Sequence, residues 1–369
     1  QADPCTGSCL FSAAGFQMKR ITYTSRLADG IAVPDLEELG QKASIYNQQQ
    51  DITGALVYFA GIFFQIIEGR EDRIDKLFDK ICQDPRHNEI LVLKTELNAV
   101  QRHFPEWSMK IMNLDHNSDD LLRTVKIMLQ TIVDSHGIIE QYTQPAVLRL
   151  LSQGLNPLLV FPRKVERIVL FGDMVSFSTI SEFLPVEKVA GMINYFLDIA
   201  SSEIVAMGGE VTKFIGDCIM AYFPGDRADD ALNACLNILK KLETERLAAD
   251  DGDLTRLIYC GFGLSKGSVI EGNLGSTVKT DYTILGDPVN TAARLEAMTR
   301  VVKKAIVVSE DIKHAARPDW NFCSLGRLDL KGKVHSCEAF SPDHELVNRF
   351  IDQERLIRII AQFQNKAAM

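Results

Sequence analysis

Apolar and polar residues alternate over MKRITYT at 18–24, which predicts a strand. From Pro34-Asp35 the period changes. An acidic first turn and Leu36, Leu39, Ala43 and Tyr46 at helical spacing predict a helix over 34–48. Two short apolar runs, 55–59 and 62–67, flank Ala60-Gly61 and predict a hairpin. Over 71–83, Ile74, Leu77, Phe78 and Ile81 share one helical face. Strands at 89–97 and 106–112 follow. This β-α-β-β-α-β order predicts a ferredoxin-like α+β sheet of roughly 100 residues.

A helix over 118–136 opens on Ser118-Asp119-Asp120. It carries Leu121, Leu122, Val125, Met128, Leu129, Ile132 and Val133 on an apolar stripe. That stripe is too wide for a lone exposed helix and asks for a partner. Gly137 is expected to end it, with a second helix over 144–153 and a break from Gly154 to Pro162. The segment 113–162 therefore reads either as an interdomain linker or as a helix that dimerises and transmits a signal. From 165 the order is strand (167–171), helix (185–207), hairpin (210–223), helix (226–247), strands (256–263 and 267–271), helix (286–299), strand (305–308) and a β-rich end to 341. This predicts a second domain over 163–342 and a helical tail over 343–369. The fold class is α+β: two ferredoxin-like α/β-sandwich domains joined by a helical linker.

Composition narrows the classes. The chain has 369 residues, 46% hydrophobic and 24% charged, which suits a globular protein of two or three domains. A net charge of −9 and the lack of a Lys/Arg run argue against a nucleic-acid partner. The longest apolar stretch, 54–67, is too short to span a bilayer, so no membrane partner is expected. Cys82, Cys218, Cys235, Cys260, Cys323 and Cys337 sit in apolar surroundings, and buried reduced thiols are expected. Residues 1–17 lack periodicity and read as a remnant of expression, with Met18 the natural start. A cytoplasmic protein fits this pattern.

Three segments carry candidate chemistry. Asp173 follows the apolar strand ERIVLFG, and Asp217 follows Gly216 at a tight hairpin between VTKFI and CIMAYF. Either alone reads as a turn residue. As a pair at strand ends they can converge and hold two Mg²⁺ ions on a triphosphate. Asn290 and Arg294 lie four apart on one helix and share a face. The arginine can stabilise charge at a reacting phosphorus, and the asparagine can orient a ribose. A P-loop and an HExxH zinc motif are both absent from the sequence.

These segments, VLFGDMVSFS at 169–178, VAMGGEVTKFIGDCIMAYF at 205–223 and DYTILGDPVNTAAR at 281–294, resemble class III nucleotidyl cyclases from Val165 to Pro342. The resemblance implies that Asp173 and Asp217 bind two Mg²⁺, with Mn²⁺ as an alternative. It maps base reading onto Lys213 and Thr283. A lysine can donate to adenine N1 and a hydroxyl can accept from N6, whereas guanine would want a carboxylate, so ATP is implied. It makes Asn290 and Arg294 catalytic, and it places Lys331 on the β/γ-phosphates, with Lys333 a near alternative. In the family the aspartates face the other residues across two protomers, which implies a homodimer with two composite sites. Gly172 stands where the family usually carries Ala, a departure expected to matter only for backbone freedom.

Residues 18–112 resemble a BLUF domain, a blue-light sensor that binds flavin noncovalently. The matches are RITYTSR, IYNQQQDITGAL, GIFFQIIEG, DPRH at 84–87 and FPEWSMKI. The resemblance implies FAD, with FMN and riboflavin as alternatives, held around Tyr23, Asn47, Gln65, Lys80, Asp84, Arg86, His87, Trp107 and Met109. The residues support it independently. Gln65 lies in a strongly apolar strand, and a buried amide must find partners. A flavin edge and the Tyr23 phenol are suitable ones. By resemblance, light moves an electron and a proton from Tyr23 through Gln65, and Trp107 and Met109 pass the change to helix 118–136.

The order of the two domains resembles bacterial photoactivated adenylyl cyclases, which implies light-driven conversion of ATP to 3′,5′-cyclic AMP and pyrophosphate. Three alternatives stay open. One is a flavin sensor whose cyclase-like domain only binds nucleotide or a partner. Another is a guanylyl cyclase, and the third is a cyclase under a different signal with an incidental flavin.

Overall fold

Both sheets of this chain place the first four strands of their unit in the same spatial order, 4-1-3-2. The computed structural model describes residues 17–28, 36–106, 108–114, 120–153, 155–250, 253–276, 278–328, 337–351, 354 and 356–361. Residues 1–16, which hold nearly all of the expected expression remnant, lie outside the described residues. The chain divides into two units, 1–159 and 160–369.

In the first unit, β1 (Met18–Leu27), β2 (Thr53–Phe59), β3 (Ile62–Arg70) and β4 (His87–Leu97) form an antiparallel sheet in the order β4-β1-β3-β2. The helices α1 (Leu36–Gln49) and α2 (Glu71–Cys82) complete the predicted α+β pattern. A short fifth strand, β5 (Lys110–Asn113), adds parallel to β2. The strand expected from 106 begins only at Lys110 because the preceding backbone is engaged elsewhere. The N–H groups of His103 and Phe104 donate to the Glu68 carboxylate, and the Ser108 carbonyl accepts from Asn47.

The helix α3 (Asp120–Tyr142) does not stop at Gly137 as expected but runs through it. A mid-helix glycine costs about 1 kcal/mol against alanine. That is too little to end a helix anchored by Leu129 and Val133 on Phe59, Ile62 and Leu114. Among the described residues the stripe is otherwise open: Val125, Met128 and Ile132 are exposed, and so are Ile139 and Tyr142 farther along the helix. Their 3-4 spacing is that of a coiled-coil seam. The helix α4 (Pro145–Ser152) follows and lies against β4.

The second unit opens on β6 (Arg163–Met174), α5 (Phe177–Phe183), α6 (Val186–Ala206), β7 (Glu210–Ile215), β8 (Cys218–Pro224) and α7 (Ala228–Ala248). It continues with β9 (Cys260–Gly275), β10 (Thr280–Leu285), α8 (Asp287–Val302), β11 (Ile306–Ser309) and α9 (Glu310–Ala315). It ends on β12 (Phe322–Leu328), β13 (Cys337–Pro342) and α10 (Glu345–Asn348). The sheet runs β12-β13-β11-β9-β6-β8-β7, with β10 paired to the far end of β9. The two strands expected at 256–263 and 267–271 are one, because β6 pairs with β9 without a break from Asp173↔Gly261 to Arg163↔Glu271. The β10 strand was not foreseen.

One face of this sheet is the main core, filled from α6 by Phe196, Ala200 and Ile204 and from α7 by Leu232, Cys235 and Ile238. Among the described residues α6 is the one helix long and apolar enough to cross a membrane, and its apolar face is spent in this core. The tail joins the same core: Val347, Ile351, Leu356 and Ile360 are buried. Burial of thiols holds for Cys235 and Cys260. Cys82, at the end of α2, and Cys323, on the edge strand β12, are exposed instead.

Candidate functional sites

The hairpin between β7 and β8 is closed by Gly216-Asp217, with Ile215 paired to Cys218. Gly216 has φ +65, a left-handed turn that glycine adopts without a Cβ penalty. This turn delivers Asp217 to the end of β6, where Asp173 pairs with Gly261. The two aspartates meet: the Asp217 carboxyl is pushed well above its usual range by burial, then by a side-chain hydrogen bond with Asp173 and by the charge of that carboxylate, while backbone N–H groups of Asp217 and Met174 pull it down. Asp173 Oδ1 and Asp217 Oδ2 are buried and have no hydrogen-bond partner among the described residues. A buried acceptor without a donor is costly, and two such oxygens on adjacent carboxylates fit a hard divalent cation. Among the described residues no three His, Cys, Asp or Glu side chains form a ready cage. Mg²⁺ rarely needs one, since it binds through one or two carboxylates with phosphate and water completing its shell.

The other oxygen of Asp173 is occupied. Arg300, near the end of α8, donates through Nη2 to Asp173 Oδ2 at 2.7 Å and to the Met174 carbonyl at 3.1 Å. Its Nη1 donates to Glu296 Oε1 at 2.6 Å. Burial pushes the Glu296 carboxyl up to about 7 against the pull of Arg300. Neither Glu296 nor Arg300 was picked out from sequence. The helix reaches this position by lying close under β9. A Cβ on Gly263 would sit 2.1 Å from the Glu296 nitrogen and 2.2 Å from the Ala292 carbonyl oxygen. Gly172 also proves to be a packing residue rather than one chosen for backbone freedom: a Cβ there would meet the Phe262 ring at 2.6 Å.

Asn290 and Arg294 lie on α8, exposed and half-buried respectively, and Lys213 and Thr283 are half-buried on β7 and β10. Among the described residues, none of the four side chains has a hydrogen bond or ion pair. The structure does not gather them all around the aspartates. Thr283 pairs with Gly272, at the opposite end of β9 from Gly261, the partner of Asp173. At ~3.3 Å per residue those 11 residues are about 36 Å of strand. Lys331 and Lys333 lie outside the described residues.

A buried polar network links the strands that carry Lys213 and Thr283. Tyr222 donates to Glu210 on β7 at 2.8 Å, and the Arg167 guanidinium lies over the Tyr222 ring, 5.2 Å from its centre. Arg167 also binds Glu271, which accepts from Tyr282 on β10 at 3.0 Å. Burial works to raise the Glu271 carboxyl, but Arg167, Arg163 and Tyr282 together hold it below its usual range. The sequence reading missed this network entirely.

In the first unit Tyr23 and Gln65 are directly opposite each other on β1 and β3, so both side chains point to the face under α2. Tyr23 is fully buried, touches Phe78 edge-on with ring centres 5.2 Å apart, and donates its hydroxyl to Gln65 Oε1. Burial, with Cys82 and Asp84 nearby, holds this phenol well above its usual range. The Gln65 amide donates in turn to Met109 Sδ at 3.7 Å. Sulfur is a weak acceptor, so this buried amide N–H is poorly satisfied. A carbonyl or imine nitrogen on a flavin edge would satisfy it better, and the donor set therefore fits a flavin. Asn47, buried, donates to the Ser108 carbonyl at 2.9 Å, beside Met109.

The remaining sensor candidates form a second group. Asp84 and Arg86 are paired to each other, and that bond holds the Asp84 carboxyl down at about 2. His87 Nδ1 shares a 2.8 Å hydrogen bond with Ser25, and its ring centre is 5.1 Å from that of Phe63. Lys80 donates to the Tyr46 hydroxyl at 3.0 Å. Trp107 lies outside the described residues. Sequence reasoning also missed Glu68. This buried carboxylate accepts from Arg20, Thr53, His103 and Phe104, and so pins the segment leading to Met109.

Comparison with known proteins agrees with both halves. Residues 18–110 match the BLUF family, sensors of blue light using FAD. Residues 161–342 match the adenylate and guanylate cyclase catalytic domain. A solved bacterial light-regulated adenylyl cyclase superposes with a TM-score of 0.87 at 40% identity, covering 94% of this chain and 99% of its own. The photoactivated adenylate cyclase subunits alpha and beta of Euglena gracilis are 31% and 32% identical over 316 and 302 residues. Those matches cover 84% and 81% of this chain but only 30% and 35% of the relatives. The chain thus spans about a third of the length of these curated relatives.

Proposed function

We propose that this chain, which belongs to the light-regulated adenylyl cyclases, converts ATP to 3′,5′-cyclic AMP and pyrophosphate under blue light. The observation that carries the catalytic half is the pair of unpartnered buried oxygens on Asp173 and Asp217. Asp173 and Asp217 would hold Mg²⁺. When bound, the metal neutralises triphosphate charge and makes the ribose 3′-hydroxyl more acidic. Arg294 stabilises charge developing on the α-phosphate, and Asn290 orients the ribose. Lys213 donates to adenine N1 and Thr283 accepts from N6, which favours ATP over GTP. Lys331 reaches the terminal phosphates.

The active form is a homodimer with two composite sites. Two observations support this: Thr283 and Asp173 pair with opposite ends of β9, and an apolar seam stays open along α3. Each protomer gives its aspartates to one site and its Lys213, Thr283, Asn290 and Arg294 to the other. A cytoplasmic protein, acting without membrane or nucleic acid, completes this reading.

Tyr23, Asn47, Gln65 and Met109 would hold FAD, which when bound would supply blue-light absorption and an acceptor for an electron from Tyr23. Lys80, Asp84, Arg86 and His87 hold its outer parts. As the Tyr23 phenol gives up an electron, its hydroxyl proton would move with it toward Gln65 Oε1, and the amide would then turn or tautomerise, breaking its bond to Met109. Trp107 and Met109 relay the change to α3. Light thereby shifts an existing equilibrium between dimer geometries.

The test is cyclic-nucleotide formation by the purified chain from ATP and from GTP, with Mg²⁺, in darkness and under blue light. Cyclic AMP that rises with light supports the whole reading. Product that ignores light removes the coupling, and a flavin shift without product leaves only a sensor.

A further inference from the structure

Arg300 is the one cation bonded to a candidate metal ligand among the described residues, and the proposed reaction gives it no task. Its bonds divide the Asp173 carboxylate into two unlike oxygens. Oδ2 is taken by the guanidinium at 2.7 Å, while Oδ1 is buried and free beside Asp217. The guanidinium cannot drift, because Glu296 holds Nη1 at 2.6 Å and the Met174 carbonyl holds Nη2 at 3.1 Å. Glu296 is itself buried and fixed by the close contact of α8 with Gly263. A positive charge bonded to a metal-binding carboxylate repels an incoming cation, and a rigid fork fixes the carboxylate rotamer.

We propose that Arg300 is a positioning residue that turns Asp173 Oδ1 toward the metal and, by its charge, keeps divalent-cation affinity low until nucleotide brings its own negative charge. This rests on the metal role of Asp173 and Asp217 proposed above. The cation then arrives with the triphosphate rather than ahead of it, so an empty site does not accumulate metal. Arg300 acts only through Asp173 and touches no substrate.

The experiment measures Mn²⁺ binding to the full chain in darkness without nucleotide, by the electron paramagnetic resonance of free Mn²⁺, for the native chain, R300Q, R300K and D173N. R300Q removes the charge and should bind Mn²⁺ about tenfold tighter, while its kcat falls because Asp173 loses its orientation. R300K keeps the charge and should bind within about threefold of the native chain, with kcat also reduced. A merely structural role would lower thermal stability equally with and without Mn²⁺; here R300Q should gain more from Mn²⁺ than the native chain does. Unchanged or weaker binding in R300Q overturns the proposal. If R300Q does not fold, R300K decides: a tenfold change in either direction overturns it. Native binding that D173N leaves intact overturns the metal reading itself, and this inference with it.

Discussion

The two sheets have the same 4-1-3-2 strand order but keep their chemistry in different places. The first holds its key residues on a sheet face, where Tyr23 and Gln65 are cross-strand neighbours under a helix. The second spreads its candidates over strand ends at Asp173 and Asp217, the strands β7 and β10, and α8, with two carboxylate oxygens and two cations, Lys213 and Arg294, lacking partners among the described residues. A face-mounted site is complete within one chain and can store a change in hydrogen bonding. An end-mounted site is open and incomplete, and therefore suited to activation by bringing two copies into register. In the proposed reading, one strand order serves a switch in the first unit and half of a composite site in the second.

The contrast can be tested from either side. Asp173→Asn removes one proposed metal ligand and should cut cyclic AMP formation about a thousandfold, as expected for loss of charge stabilisation at the reacting group. The light-induced flavin shift of that variant should be unchanged, and a lost shift would mean that the two sites are not separate.

Tyr23→Phe keeps the ring but deletes the hydroxyl that donates to Gln65. Rates in light and darkness should become equal, and a surviving light response would rule out the switch described here. Lys213→Glu should lower the preference for ATP over GTP roughly tenfold or more, measured as the ratio of kcat/KM values. A purified heterodimer of Asp173→Asn and Arg294→Ala protomers should keep about half the native turnover, because one of its two sites is intact. If it is as dead as either homodimer, each site is built within one chain.

The smallest effect concerns stability. Burial would raise the Glu68 carboxyl, but four donors including Arg20 hold it below its usual range. A lowered folded-state pKa adds stability above the unfolded value and loses it as pH falls through the folded one. The first unit should therefore lose on the order of a few degrees of Tm below the ordinary Glu range. Glu68→Gln should flatten that slope while lowering Tm at neutral pH.

Much of this was legible in the sequence. Period and turn chemistry gave the first unit's elements in order, and Gly216-Asp217 was visible as a hairpin turn. The unseen parts depend on contacts between distant segments. The bond from Arg300 to Asp173 joins residues 127 apart, and Arg167 reaches Glu271 across 104. No local pattern marks such pairs. Gly172 shows the same limit: its small size answers to Phe262 on a neighbouring strand, and nothing in the local sequence says so. Gly137 misled in the opposite direction, because a local helix-breaking cue was outweighed by tertiary anchoring.

The tail beyond Pro342 bears on how this chain could be cut down for use as a tool. The family match ends at 342, yet Val347, Ile351, Leu356 and Ile360 fill the same core as α6 and α7. A fragment trimmed to the family boundary would keep every proposed catalytic residue while leaving an apolar trough along its main core. Shortened versions should end after 361, and fusions at that terminus should be spaced from the last core side chain rather than from the last motif.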